Sequence, residues 1–177
     1  MKKIRMLLIA LLASTLFFTG CLDNSSNEKS TIKDTKALFD TVLEKKLDFP
    51  VIGGNSDPII EGKAGKLDLK ENVPGLTDRT KEEVKEGSIF SHGMNANLFT
   101  GIAIRVDSKK AVSIRDAIIK DIKNEKWLCG APNYYTFMIV ENEYVVYSFG
   151  DKELVQSFVK IMHASFDHID HEKHIEE

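Results

Sequence analysis

The sequence has little cysteine and little arginine, and both shortages restrict what the protein can be. Its 177 residues include two cysteines, Cys21 and Cys129. If the Cys21 thiol is modified, the lone Cys129 cannot form an internal disulfide, and we expect Cys129 to be a small buried residue. Only four of the 24 basic residues are arginines. Rigid bidentate clamps for carboxylate or phosphate groups are therefore scarce.

The sequence also lacks an excess of positive charge. When the three basic residues of the first 20 positions are set aside, 21 lysines and arginines remain against 27 acidic residues. Nucleic-acid binding needs a surplus of Lys and Arg on one face, so we expect no nucleic-acid partner. The chain is 42% hydrophobic and 29% charged, which is typical of a globular protein. About 145 residues remain after the leader and spacer, enough for one core.

No apolar run is long enough to span a membrane, which takes about 20 residues. The run Met6–Phe18 follows a basic start and has the length of a signal-peptide core. It leads into Phe18-Thr19-Gly20-Cys21, which resembles the lipobox of bacterial lipoproteins, with Phe in place of the usual Leu. The resemblance implies a signal peptide over residues 1–20 and a lipid group with fatty acyl chains, such as palmitate, at Cys21. An uncleaved apolar helix and an ordinary secretory signal are the alternatives.

The periodicity of apolar residues predicts the elements of the remaining chain. Residues 21–31 are polar and predict a tether, residues 32–170 predict a single domain, and residues 171–177 a His/Glu-rich tail. Within the domain, the patterns predict helices over 32–47, from Ser108 to near Trp127, and from Gly150 to Ile169. They predict strands over 98–106, 135–140 and 144–149, the last two as a hairpin, and a loop over 50–93 with a short helix at 81–86.

This order of elements predicts an α+β fold. The expected arrangement is a small antiparallel or mixed three-stranded sheet, covered by two or three helices in a two-layer sandwich.

Three short segments together resemble one protein family. They are Glu86-Gly87-Ser88-Ile89, Ile102-Ala103-Ile104 and Asn142-Glu143-Tyr144-Val145-Val146. With the lipobox and the order of elements, they resemble the small clostridial (Gram-positive) lipoproteins catalogued as domain of unknown function 4358. The resemblance covers Thr35 to Ile161, with the Gly-rich stretch after Phe49 the poorest match. It implies a fold and a location, but it transfers no catalytic residue.

The sequence lacks the common catalytic and cofactor motifs. It has no Gly-x-Ser-x-Gly elbow, and Ser91 and His92 are adjacent, so their side chains cannot meet as nucleophile and base. The run Gly62–Lys66 does not complete a phosphate-binding loop. We therefore expect no cofactor and no enzymatic activity. A hydrolase with a site around His92 and Cys129 is a third, weaker hypothesis.

Histidine is concentrated near the end of the chain. If the last helix continued, Asp167, His171 and His174 would share one face. Imidazoles at this spacing can bind Zn²⁺, Ni²⁺ or Cu²⁺, although a solvated helix end is the alternative interpretation. The candidate metal ligands are Asp167, His168, His171 and His174.

The sequence predicts location more clearly than activity. The leading hypothesis is a lipid-anchored protein on the extracytoplasmic face of the cell membrane, with a domain that binds an envelope protein or a small ligand. The alternative is a metal-binding lipoprotein that uses the C-terminal histidines. The aromatic residues of the predicted hairpin, Phe137, Tyr144, Tyr147 and Phe149, could line a ligand cleft, but their alternation is more typical of core packing. The oligomeric state is left open.

Overall fold

The computed structural model describes residues 32–127 and 130–177, and within them the chain forms four helices and eight strands. The helices are α1 (Thr35–Glu44), α2 (Asp78–Lys81), α3 (Ala111–Ile122) and α4 (Lys152–Ser165). The strands are β1 (Val51–Gly53), β2 (Ile60–Glu61), β3 (Gly65–Lys66), β4 (Glu86–His92), β5 (Phe99–Arg105), β6 (Tyr134–Val140), β7 (Tyr144–Gly150) and β8 (Ile169–Glu176).

All eight strands belong to one antiparallel sheet, so the predicted three-stranded sheet is wrong. The predicted number of two or three helices is also wrong, because the described residues form four. Neighbouring strands follow the order β2-β1-β4-β5-β7-β6-β8, and β3 also pairs with β4. The three predicted strands are present as β5, β6 and β7, each within one residue of its expected bounds. The sequence analysis missed β4 and β8, which lie on either side of these three strands, and the short strands β1 to β3.

Helices cover both faces of the sheet, so the predicted two-layer sandwich is also wrong. Helices α1 and α4 pack on one face, and α3 packs on the other with α2 beside it. Every residue of β6 and β7 is buried, as expected for strands that contribute side chains to two cores. The result is a three-layer arrangement with an antiparallel sheet in the middle.

The core between the sheet and helices α1 and α4 is aromatic. Phe39, Phe90, Phe99 and Phe158 are fully buried, and their ring centroids lie 4.8 to 6.3 Å apart in the pairs that meet. Edge-on and tilted geometries dominate, as is usual for aromatic pairs in cores. Helix α4 contributes Phe158 to this core, and the Asp151 side chain caps its first turn by accepting from the Glu153 amide.

The Gly-rich segment 50–93 forms strands rather than a loop over the sheet. Its strand β4 lies between β1 and β5, and its short strands β1 and β3 run close together beside β4. A Cβ on Gly53 would lie 2.2 Å from the Gly65 amide nitrogen, and one on Gly65 would lie 2.3 Å from the Gly54 nitrogen. Only glycine permits this approach of two backbones. The predicted helix at 81–86 is also displaced, since α2 covers Asp78–Lys81.

The chain leaves α4 earlier than predicted and ends in an edge strand. The helix stops at Ser165, not Ile169, and β8 follows after a short link. In β8, His174 lies opposite Thr136, and the register shifts at a bulge where His171 has a φ of 54°. Most of the segment predicted as a tail, residues 171–176, therefore belongs to the sheet.

Candidate functional site

The C-terminal histidines meet at a carboxylate that the sequence analysis did not single out as a ligand. His163 Nε2 lies 2.7 Å from one carboxylate oxygen of Glu172, and His174 Nε2 lies 2.8 Å from the other. His163 comes from α4, whereas Glu172 and His174 come from β8. The His174 ring also stacks on Tyr134, with centroids 5.9 Å apart. The group joins the edge strand to the helix that covers it.

Two further polar contacts hold the same edge strand. Lys152 Nζ donates to both carboxylate oxygens of Glu176 at 2.7 and 2.8 Å, which raises the pKa of Lys152 above its ordinary value. From the opposite face, Arg115 Nη1 of α3 donates to the backbone oxygen of His171 at the bulge. Helices from both outer layers therefore fasten β8 by hydrogen bonds and ion pairs.

The helical face that motivated the metal prediction does not exist. Asp167 and His168 lie in the link before β8, while His171 and His174 lie on the strand itself. Across the two described ranges, no group of three or more His, Cys, Asp or Glu side chains could hold a metal ion. In the group of His163, Glu172 and His174, each imidazole Nε2 contacts a different oxygen of the carboxylate. The contact of His163 with Glu172 joins residues nine apart in two different elements, and no helical or strand period predicts it.

His92 is part of the core rather than of an open site. It is buried at the end of β4, its ring stacks on Phe49 with centroids 5.3 Å apart, and its Nδ1 accepts from the Met94 amide at 3.1 Å. Ser91 makes a separate hydrogen bond of 2.8 Å with Thr100. The other predicted site residues, Cys21 and Cys129, lie outside the described residues.

The aromatic residues of the β6–β7 hairpin are core residues, as their alternation indicated. Phe137, Tyr147 and Phe149 are buried on the α3 face, whereas Tyr144 is buried on the α1 and α4 face. Tyr147 donates its hydroxyl to the Pro74 oxygen at 2.9 Å, and burial raises its pKa well above the ordinary value.

The first described residues meet the sheet at the turn between β6 and β7. The Tyr144 hydroxyl donates to the Ile32 backbone oxygen at 2.8 Å. Arg105 lies over the Tyr144 ring and donates from Nε to Glu143 at 3.0 Å. This hydrogen bond raises the pKa of Arg105 above its ordinary value. The N-terminal start of the domain at Ile32, which we call the entry of the domain, is therefore held at one end of the central strands.

Several open grooves, of about 340 to 590 Å³, lie among the described residues. One, of about 560 Å³, lies between α2 and α3, where Lys110 and Glu83 form an ion pair at 2.7 Å. Another, of about 590 Å³, has Lys66, Lys70 and Lys85 along its walls. In the first groove, the hydroxyls of Thr80 and Ser113 donate to backbone oxygens.

Comparisons with protein-family models, with curated proteins and with solved structures gave no match for this chain. The resemblance to the clostridial lipoproteins therefore stays a prediction. In the part of the chain that the structure describes, no helix is long and apolar enough to cross a bilayer.

Proposed function

We propose that the protein is a lipid-anchored extracytoplasmic lipoprotein whose domain acts as a binding or accessory module for an envelope protein. The lipobox supports the anchor, because a diacylglyceryl group on Cys21 and a further acyl chain would hold the protein stably at a membrane. The observation that carries the proposal is the position of Ile32, which Tyr144 holds at one end of the sheet. A tether over residues 21–31 would join the domain at that end.

The arrangement of the domain supports binding at its surface. Both faces of the sheet are filled by the protein's own helices, so neither face is available to a ligand. A partner would instead contact the helices, the sheet edges or the loops. Such a module adds recognition to an envelope complex without chemistry of its own.

Metabolic labelling with a fatty acid tests the anchor. We expect the wild-type chain to be labelled and to stay with the membrane fraction, and Cys21→Ala to lose the label. Cys129→Ala is the matched control, because it removes the other thiol and should keep the label in full. An unlabelled wild-type chain, or a label that survives Cys21→Ala, would overturn the anchor.

A further inference from the structure

Two neighbouring loop segments at the other end of the sheet carry no charge, although Lys123, Glu125 and Lys126 precede the second segment in the connection from α3 to β6. Residues 93–98 read Gly-Met-Asn-Ala-Asn-Leu and residues 130–133 read Gly-Ala-Pro-Asn. None of these ten residues is Asp, Glu, Lys or Arg, although 29% of the whole chain is charged. Exposed loops of a globular protein usually carry charges, so this composition needs a reason. We call these two loops the distal loop surface.

Hydrogen bonds join the two loops and fix their shape. Asn97 donates from its side-chain nitrogen to the Gly130 oxygen at 2.9 Å, which links one loop to the other. Asn95 accepts from the amides of Asn97 and Leu98, and Gly93 donates to the Pro50 oxygen at 2.7 Å. A surface that is ordered before binding loses less conformational entropy when a partner docks.

The distal loop surface exposes apolar side chains that the core does not use. Met94 is 80% exposed, and Leu98 is 37% exposed. The centre of a protein interface is depleted in charge and enriched in methionine and aromatic residues, while its rim is polar. Two acidic residues lie beside the loops. The backbone amide of Asp151 donates to the Leu98 oxygen, and that of Glu177 donates to the Asn133 oxygen. An uncharged centre with acidic neighbours fits an apolar patch with basic residues around it.

The position of the surface agrees with such a role. Strand β7 runs from Tyr144, at the entry of the domain, to Gly150, beside Leu98. Seven strand residues span about 20 Å. If the anchor of the proposed function is correct, the distal loop surface lies at the end opposite the tether, facing away from its attachment.

We propose that the distal loop surface is the docking site for an envelope protein, whose complementary patch is apolar at its centre and basic at its edge. This inference rests on the proposed function for its orientation. The surface is small, because a standard interface uses about 20–30 residues on each side. The complex is therefore of the transient class, and anchoring both proteins at one membrane favours it by raising their effective concentration.

Site-specific photo-crosslinking of the full lipidated chain in its own membranes tests the proposal. A photoreactive phenylalanine analogue is placed at Met94 and, as a matched control, at Val112, which is 40% exposed on α3. We expect one adduct of defined mass from position 94 and none from position 112. Mass spectrometry should place the crosslinked peptide of the partner in an apolar segment beside Lys or Arg.

A charge at the centre of the surface should abolish the complex. Leu98 is exposed in the same loop as Met94. In the chain that carries the photoreactive residue at position 94, Leu98→Asp should therefore lower the adduct yield by about tenfold or more. Val112→Asp in the same chain should leave the yield unchanged. Circular dichroism should show both variants folded, because both side chains are exposed.

Several results would overturn the proposal. Equal adducts from positions 94 and 112 would indicate collision rather than docking. An adduct with lipid would show that the loops insert into the membrane, and an adduct with a second copy of the chain would show self-association. Loss of the fatty-acid label from wild type with the adduct intact would overturn the anchor and support the surface, so the two failures are distinguishable.

Discussion

Substitution of one buried residue on each face of the sheet tests the three-layer arrangement. Phe158 of α4 is fully buried, with its ring centroid 5.4 Å from that of Phe99 and 6.0 Å from that of Phe90. Ile118 of α3 is fully buried in the other core cluster, against Gly75. Removing a buried Phe costs about 3–5 kcal/mol, and reducing Ile to Ala costs about 2–5 kcal/mol. We expect both variants to lower the free energy of unfolding by amounts in these ranges.

Urea unfolding, followed by circular dichroism and by the fluorescence of Trp127, would measure both losses. Gln156→Ala on α4 and Val112→Ala on α3 are matched controls at exposed positions, and should change stability by less than about 0.5 kcal/mol. Because Phe158 and Ile118 belong to different core clusters, the double variant should lose the sum of the two within about 0.5 kcal/mol.

The outcome that would refute the reasoning concerns Ile118. In a two-layer domain one face of the sheet is solvated, and a substitution there resembles an exposed control. If Ile118→Ala cost no more than Val112→Ala while Phe158→Ala cost its full amount, the second core would not exist. The same result would remove the explanation for the wholly buried strands β6 and β7.

Three further predictions concern a helix cap, buried hydroxyls and alkaline pH. The Asp34 side chain accepts from the Ala37 amide at 2.7 Å, so Asp34→Ala should cost about 1 kcal/mol in urea unfolding, with Asp34→Asn nearly neutral. Thr136 is fully buried, and its hydroxyl has no hydrogen-bond partner among the residues that the structure describes. Thr136→Val should therefore keep or raise the midpoint of thermal unfolding, and a clear loss would indicate a hidden partner. Burial raises the pKa of Tyr135 to about 12 and that of Tyr147 further. The folded state thus favours the neutral phenols. Their contribution to the free energy of unfolding is fully present below about pH 10. It should be lost as the pH rises through the folded pKa of Tyr135. An ultraviolet titration should show the two phenols ionising only above the ordinary range.

The sequence predicted the elements that have strong local patterns. Strand β5 and the β6–β7 hairpin lie within one residue of their expected bounds, because their apolar runs end at clear turn residues. Helix α3 is present but ends at Ile122 rather than near Trp127. The nearly continuous apolar sequences of β6 and β7 are consistent with burial on both faces. What the sequence could not show is which helices cover each face, so it did not reveal that α3 and α4 lie on opposite sides.

Strand β4 was missed for a different reason. It begins with Glu86-Gly87-Ser88, which lowers its apparent strand propensity. In the structure, a Cβ on Gly87 would lie 2.7 Å from a methyl carbon of Leu67, so the glycine leaves room for the Leu67 side chain. The residue that weakens the local strand pattern thus makes a tertiary contact that the sequence does not show.

The C-terminal histidines show how a spacing argument depends on the element that carries it. On a helix, Asp167, His171 and His174 would lie on one face, but on β8 the bulge at His171 changes the alternation of side chains. Glu172 then meets His174 of its own strand and His163 of α4. The charged residues Asp170, Glu172 and Lys173 of β8 also occupy a sheet edge, where charge opposes pairing with other chains. The segment that suggested a metal site therefore forms a sheet edge that is protected against pairing with other strands. The uncharged distal loop surface has no such protection, and it is the part of the molecule better suited to a partner.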